Sequence, residues 1–230
     1  KEPLRGIGIN ANFLLREELP KAARIRALRM NELSSRMEQL ISDLLFFSRI
    51  GRDAGSRVMV QPDLLIDAIR SDLSEWLSER GGEIFEIGTI PTLKAERIKV
   101  KTVLQNLCIN GIKYNDKDEK IVEIGFFTGR GAGGPPLEAI FFRDNGIGID
   151  EKNHDKAFRI FSRLNKRTDY PSDDADTGTG SGLAFVRKIV EQHGGVVDFI
   201  SAKGEGSTFY VTLPLANPND KNQTQNGSAT

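Results

Sequence analysis

The sequence predicts an α+β protein built in two parts, a helical hairpin followed by a layered α/β domain. Three observations carry this. The first fifty residues repeat apolar side chains only at helical spacing; from position 57 onward, short runs of β-branched and aromatic residues alternate with helical stretches; glycine clusters punctuate the junctions. At 230 residues the chain suffices for one large domain or two small ones. Hydrophobic residues at 38% and charged residues at 28% place it with folded globular chains. The 32 Lys+Arg balance 32 Asp+Glu, so no whole-chain field draws nucleic acid or an anionic membrane. The single cysteine, Cys108, excludes an intrachain disulfide and fits a reducing compartment. The best apolar stretch, 40–47, is interrupted by Asp43 and falls short of a bilayer span, and positions 1–5 lack the apolar core of a signal peptide. The expectation is a cytoplasmic segment with no direct membrane contact and no nucleic-acid partner.

Each element has its own warrant. Pro3 suits a first helical turn, and Leu4, Ile7, Ala11, Leu14 and Leu15 continue the helix toward Glu18. Pro20 breaks it. Met30, Leu33, Met37, Leu40, Leu44 and Phe47 then alternate steps of three and four, and Ile41 and Leu45 widen that stripe beyond a two-stranded seam. Two helices make half of a four-helix bundle. The expected completion is a second copy of the chain, with those six residues at the dimer interface; packing of the pair on its own chain is the other completion. Gly51 and Gly55 mark a linker over 51–56. In the domain expected over 57–214, strands are predicted at 57–61 (Val58 and Val60 on one face), 83–87, 122–128, 137–143, 196–200 and 208–213. Helices are predicted at 63–80, stopped by Gly81 and Gly82; at 96–114, with Ile98, Val103, Leu107 and Ile109 toward the core; at 150–164; and at 181–193. The polar composition of 215–230 predicts a disordered tail.

Three clusters carry chemistry. On a helix, Asn106, Asn110 and Lys113 share one face. An amide oxygen suits Mg²⁺, and a lysine one turn away reaches a phosphate. Asp144-Asn145-Gly146-Ile147-Gly148-Ile149 follows a predicted strand; a carboxylate there can accept from an exocyclic amine, although many turns look alike. Gly178-Thr179-Gly180-Ser181-Gly182-Leu183 runs into a helix and would turn bare backbone N–H groups toward an anion. No strand precedes it, which argues against a dinucleotide-binding turn. The polar segment before it reads as a flap, with Arg163, Lys166 and Arg167 able to meet phosphate oxygens.

Taken in order, these clusters, together with Phe158-x-x-Phe161 and Gly204-Glu205-Gly206-Ser207-Thr208-Phe209, resemble the N, G1, F, G2 and G3 boxes of sensor histidine kinases. The resemblance spans about 61–214. The first fifty residues resemble the dimerisation and histidine-phosphotransfer helices of the same family, and positions 1–6 resemble the latter part of the H box of phytochrome-type kinases. It implies a Bergerat-type α/β sandwich with a mixed sheet and three main helices, binding ATP with Mg²⁺. Asp144 would meet the adenine amino group, with Gly146, Gly148 and Ile149 beside it and Thr208 assisting near the base. Asn110 would hold the metal, with Asn106, Lys113 and Tyr114 lining the nucleotide. Gly178, Thr179, Gly180, Ser181, Gly182 and Leu183 would cradle the phosphates under a lid over 163–177.

The resemblance implies four further expectations. The acceptor histidine belongs three positions before Lys1, so neither His154 nor His193 is the expected acceptor: His193 reads as a helix cap and His154 as solvent-facing. Partners would be a second copy, an upstream sensor domain of phytochrome type and a response-regulator receiver domain. Asn106 stands where ATPase relatives carry a water-activating glutamate, which favours transfer to a side chain over hydrolysis. Glu2 stands where strong phosphatases of the family carry Thr or Asn, which implies weak phosphatase activity. A catalytically silent nucleotide-binding dimerisation module and an ATP-hydrolysing relative are the competing readings.

Overall fold

The computed structural model describes residues 2–51, 55–130, 136–162 and 178–217. Helices α1 (Glu2–Leu15) and α2 (Lys21–Ile50) form the expected hairpin. They are antiparallel: the Ser34 hydroxyl donates to the Leu4 carbonyl and the Asn31 amide donates to Asn12. Small residues let the backbones approach, for Ala11 and Ala27 are buried and Gly8 faces Asn31 and Ser34. The first helix stops at Leu15, before the expected Glu18, because Arg16 and Glu17 donate to the carbonyls of Phe13 and Leu14 and tighten the last turn. Of the expected interface stripe, Met30, Leu33, Met37 and Leu44 are exposed in the single chain, while Leu40 and Phe47 are half-buried. Phe47 is engaged by its own chain.

The second part is a two-layer sandwich. Strands β2 (Gly82–Ile87), β4 (Lys120–Arg130), β5 (Pro136–Asp144), β6 (Val197–Ala202) and β7 (Gly206–Val211) form one sheet in the order β2-β4-β5-β7-β6. β2 and β4 run parallel and the other pairs antiparallel. Helices α3 (Pro62–Asp72), α5 (Arg97–Lys113) and α6 (Gly182–Gln192) cover one face of this sheet through Leu65, Ile69, Leu104, Ile112, Val186 and Ile189. The mixed sheet with its helical layer is the predicted fold class.

Several boundaries differ from the expectation, each for a local reason. The helix expected over 63–80 is two, α3 and α4 (Ser74–Arg80), kinked at Leu73; hydrogen bonds from Leu73 to Ile69 and from Leu77 to Leu73 carry across the kink. Gly81 ends α4 in the left-handed region, as the glycine pair predicted. Ile98 is 79% exposed and not core, because the buried face of α5 follows Val100, Val103, Leu107 and Cys108. A short strand β3 (Leu93–Ala95), not foreseen, pairs with β1 (Val58–Val60); Val60 is buried there but Val58 is exposed. The tail was expected to begin at 215, yet Leu215 bridges Leu93 and Ala216 donates to the Thr92 carbonyl. Residues 218–230 lie outside the described residues. Of the helix expected over 150–164, the described part, to 162, is instead a short 3-10 helix, Glu151–Lys156, started by the Asp150 carboxylate accepting from Lys152 N–H and followed by turns to Phe161.

Candidate nucleotide site

The site is built outward from α5. Gly111 lies against the sheet where a Cβ would come within 2.6 Å of Val122 Cγ2 and 3.0 Å of Asp144 Cβ. That bare position lets α5 settle onto β4 and β5, and it sets Asn110 next to the end of β5, where Asp144 stands. Asp144 Oδ1 accepts from Gly146 N–H at 2.9 Å and from Ser207 N–H at 3.1 Å. Burial pushes its carboxyl up to about 6, against the lowering effect of those two N–H groups and of Lys117.

The loop after Asp144 is stitched on both sides. Ile147 N–H donates to the Tyr114 carbonyl at the end of α5, and Gly204 N–H donates to the Ile147 carbonyl. Ile149 N–H donates to Ser201 Oγ, which donates to the Gly206 carbonyl and lies 2.9 Å from Ser207 Oγ. Gly148, at φ +66°, passes so close to the Ala202 carbonyl that no side chain fits. Asn145, which the motif contains but to which no role was given, accepts from Ile121 N–H and from Asn115 and donates to the Glu119 carbonyl, fixing where β5 ends.

The glycine-rich segment runs along the face of α5 that carries Asn106, Asn110 and Lys113. A Cβ on Gly182 would stand 2.6 Å from Asn106 Oδ1 and 3.8 Å from Asn110 Nδ2, and one on Gly178 would stand 3.3 Å from Lys113 Nζ. The Asn106 amide N–H donates to the Thr102 carbonyl, which turns its oxygen to the glycine segment. Gly182 opens α6, whose Ala184, Phe185, Val186, Ile189 and Val190 are buried, so the core fixes where the helix N-terminus sits. Leu183 is partly buried against that core. Asn106, Asn110 and Lys113 thereby stand against the 178–182 segment, and Asp144 stands against Gly111 of the same helix.

Some expected residues are placed otherwise. The β5–β7 register pairs Asp144 with Ser207 and Arg143 with Thr208, so Thr208 lies on the opposite face of β7 from Asp144. Ser207 is the neighbour in its place. His154 is half-buried rather than solvent-facing; its Nε2 lies 3.1 Å from the Ile149 carbonyl and its ring packs edge-on to Phe199. His193 is buried, with Nδ1 at the Ile189 carbonyl and Nε2 accepting from Glu96 N–H, a structural post at the end of α6. The buried Cys108 thiol is pushed up to about 12 by burial, which makes it inert. Arg163, Lys166, Arg167 and the lid over 163–177 lie outside the described residues. The sequence reading also missed Asp43 of α2, whose Oδ2 accepts from the hydroxyls of Thr179 and Ser181.

Residues 95–217 match the family described as histidine kinase-, DNA gyrase B- and HSP90-like ATPase. The chain belongs to that family. Cyanobacterial phytochrome B of a Nostoc species is 42% identical over 217 residues, which is 93% of this chain and 28% of that one. The phytochrome-like protein Cph1 of a Synechocystis species is 36% identical over 186 residues, 80% of this chain and 23% of that one. Full-length ShkA, solved in complex with AMPPNP, shares the fold at a TM-score of 0.64 and 24% identity over 94% of this chain and 44% of that one. The catalytic domain of histidine kinase ThkA does so at 0.54 and 20%, over 70% of this chain and 97% of that one. These likenesses mark a sensor histidine kinase catalytic core. The chain spans about a quarter of the length of the phytochrome relatives. No helix among the described residues is long and apolar enough to cross a membrane.

Proposed function

We propose that this chain is the catalytic part of a dimeric, cytoplasmic two-component histidine kinase, moving the γ-phosphoryl group of ATP to a histidine three positions before Lys1 and from there to a receiver-domain aspartate. In the first transfer an imidazole nitrogen forms the new bond to phosphorus, the bond from phosphorus to the bridging oxygen of ADP breaks, and ADP leaves. The observation that carries this reading is that α5 holds both halves of the site, with Asp144 against its bare Gly111 and with Asn106, Asn110 and Lys113 against Gly182 and Gly178.

Asp144 fits an adenine amino group: its Oδ1 is occupied by two backbone N–H groups, which orients the carboxylate toward a further donor. Gly146, Gly148 and Ile149 shape the rim on that side, and Tyr114 closes it. Gly178, Gly180 and Gly182 present backbone N–H groups at the start of α6, where the helix dipole favours phosphate. Lys113, beside Gly178, supplies a cation. Among the described residues no three carboxylate, histidine or cysteine side chains gather as a metal cage. A single amide at Asn110 fits Mg²⁺, which keeps waters and substrate phosphates as its other ligands and would offset charge on them. Asn106 spends its N–H on the α5 backbone and has no basicity to activate water, which supports transfer over hydrolysis.

Titration with a fluorescent ATP analogue and Mg²⁺ tests the site. Asp144→Asn and Asn110→Ala are each expected to weaken binding by tenfold or more, on the order of a lost charged hydrogen bond. Unchanged affinity in both would remove the site from this face of α5.

A further inference from the structure

We infer that Asp43 is a positioning residue that docks the phosphate-binding loop onto the phosphotransfer helices at the level of the acceptor; this rests on the kinase reading above. Asp43 lies on α2, far in sequence from the glycine-rich segment, and is only 6% exposed. Its Oδ2 accepts from both Thr179 and Ser181, the residues that flank Gly180, and its Oδ1 accepts from the Gln39 amide at 2.8 Å. A carboxylate buried with neutral hydroxyls and an amide, and with no cation bonded to it among the described residues, costs desolvation that a purely structural contact has no reason to bear. The contact uses the side chains of Thr179 and Ser181, so it holds the loop without consuming the backbone N–H groups that phosphates need.

A second set of contacts fixes the same docking. Phe185 of α6 packs edge-on against Phe46 with ring centroids 5.0 Å apart and lies 6.3 Å from Phe47, while Lys188 stands 3.9 Å over the Phe47 ring. α6 is the helix that starts at the phosphate loop, so two turns of α2 grip the loop and its helix together.

The hairpin register gives the docking its meaning. The acceptor expected three positions before Lys1 lies six positions before Leu4 along α1 and fourteen before Asn12. Moving α2 forward by the same steps from their partners Ser34 and Asn31 reaches positions 40 and 45. Asp43 falls between them. The loop that would hold the phosphates is therefore tied to α2 at the height where α1, continued upstream, carries the acceptor.

The test uses the full-length protein and separates two readouts, ATP-analogue affinity and the rate of autophosphorylation at saturating Mg-ATP. Asp43→Ala is expected to leave affinity within about twofold and to slow autophosphorylation by tenfold or more, the scale of a misplaced reacting group. Asp43→Asn keeps an oxygen that accepts from both hydroxyls and is expected to recover most of the rate. Combining Asp43→Ala with Ser181→Ala is expected to slow the reaction little beyond Asp43→Ala alone, since both remove one contact. An Asp43→Ala protein that binds the analogue and phosphorylates at the wild-type rate overturns the positioning role, as does an Asp43→Asn protein no better than Asp43→Ala. Wild-type protein that fails to bind the analogue overturns the kinase reading instead.

Discussion

The hairpin and the sandwich solve the problem of apolar surface in opposite ways. In the sandwich, Val100, Leu104, Ile124, Ile140 and Ile189 are sealed between sheet and helices, and the core is closed within one chain. In the hairpin, α1 buries only Ala11 and the thirty residues of α2 bury only Ala27, Ser34, Asp43 and Ile50. Ile7, Phe13, Leu28, Leu33, Leu44 and Leu45 meanwhile face outward. A helix pair with this much uncovered apolar surface is what the proposed dimer, a four-helix bundle, would complete. The same chain thus carries one unit whose core is closed within it and one whose apolar surface the proposed second copy would cover, and substitutions in the two should fail in different ways.

The largest expected effect lies in the hairpin. Leu33→Glu with Leu44→Glu puts four charges into a symmetric interface and removes four leucines from it. At about 1.5 kcal/mol per leucine the dimer should weaken by about four orders of magnitude. Sedimentation should then show a monomer while the circular dichroism of the sandwich stays unchanged. A dimer that survives both substitutions would leave the hairpin packing only on its own chain.

Next in size is a change confined to the sandwich. Gly111→Ala drives a methyl group into Val122 Cγ2 and the Asp144 side chain, since the buried Val103, Leu107 and Ile112 hold α5 in place in the core. An overpacked core position costs about 1–3 kcal/mol, so the thermal midpoint should fall and analogue binding weaken with it. The dimer should persist. Dissociation on this substitution would show that the two regions are not independent.

A smaller change should pull stability and binding apart. Asp144 has its carboxyl raised by burial to about 6, so the folded state holds its proton more tightly than the unfolded chain does. Its contribution to stability is therefore full at low pH and is lost as pH rises through about 6. Asp144→Asn removes that penalty, and unfolding at pH 7.5 should become harder by on the order of 1 kcal/mol, discounted for partial exposure. The gain should vanish near pH 4. Binding runs the other way in the parent protein, because an adenine amino group needs the ionised carboxylate. Affinity for the ATP analogue should hold above pH 7 and fall by about tenfold by pH 5. A flat affinity profile over that range would mean that Asp144 does not meet the base.

What could be read from the sequence follows the length of each signal. Helical periodicity over tens of residues located α1, α2, α5 and α6, and glycine clusters located the loops that meet at α5. Short signals failed. The three-residue strand β3 has no period to detect and forms only because β1 and Leu215 pair with it. The kink at Leu73 leaves the apolar spacing intact and so leaves no trace in it. Asp43 was read only as an interruption of an apolar stretch, because its partners Thr179 and Ser181 lie more than 130 residues away. Nothing local announces such a contact; the one hint was a carboxylate within an apolar stretch.

The Thr208 error is the most instructive, because it is a slip of one residue in a structure of period two. Successive strand side chains point to opposite faces, so the β5–β7 register gives Ser207 the side of Asp144 and gives Thr208 the side of Arg143. Thr208→Val and Ser207→Ala convert this into the smallest of the expected effects. Thr208→Val should leave analogue affinity within about twofold, since it touches the face away from the site. Ser207→Ala keeps the backbone N–H that holds Asp144 but removes the hydroxyl beside Ser201, which in turn holds the Ile149 loop. One such hydrogen bond contributes about 0.5–1.5 kcal/mol, so affinity should fall by about threefold to tenfold. The reverse ranking would mean that β7 pairs one residue out of step, and that Thr208 belongs beside the base after all.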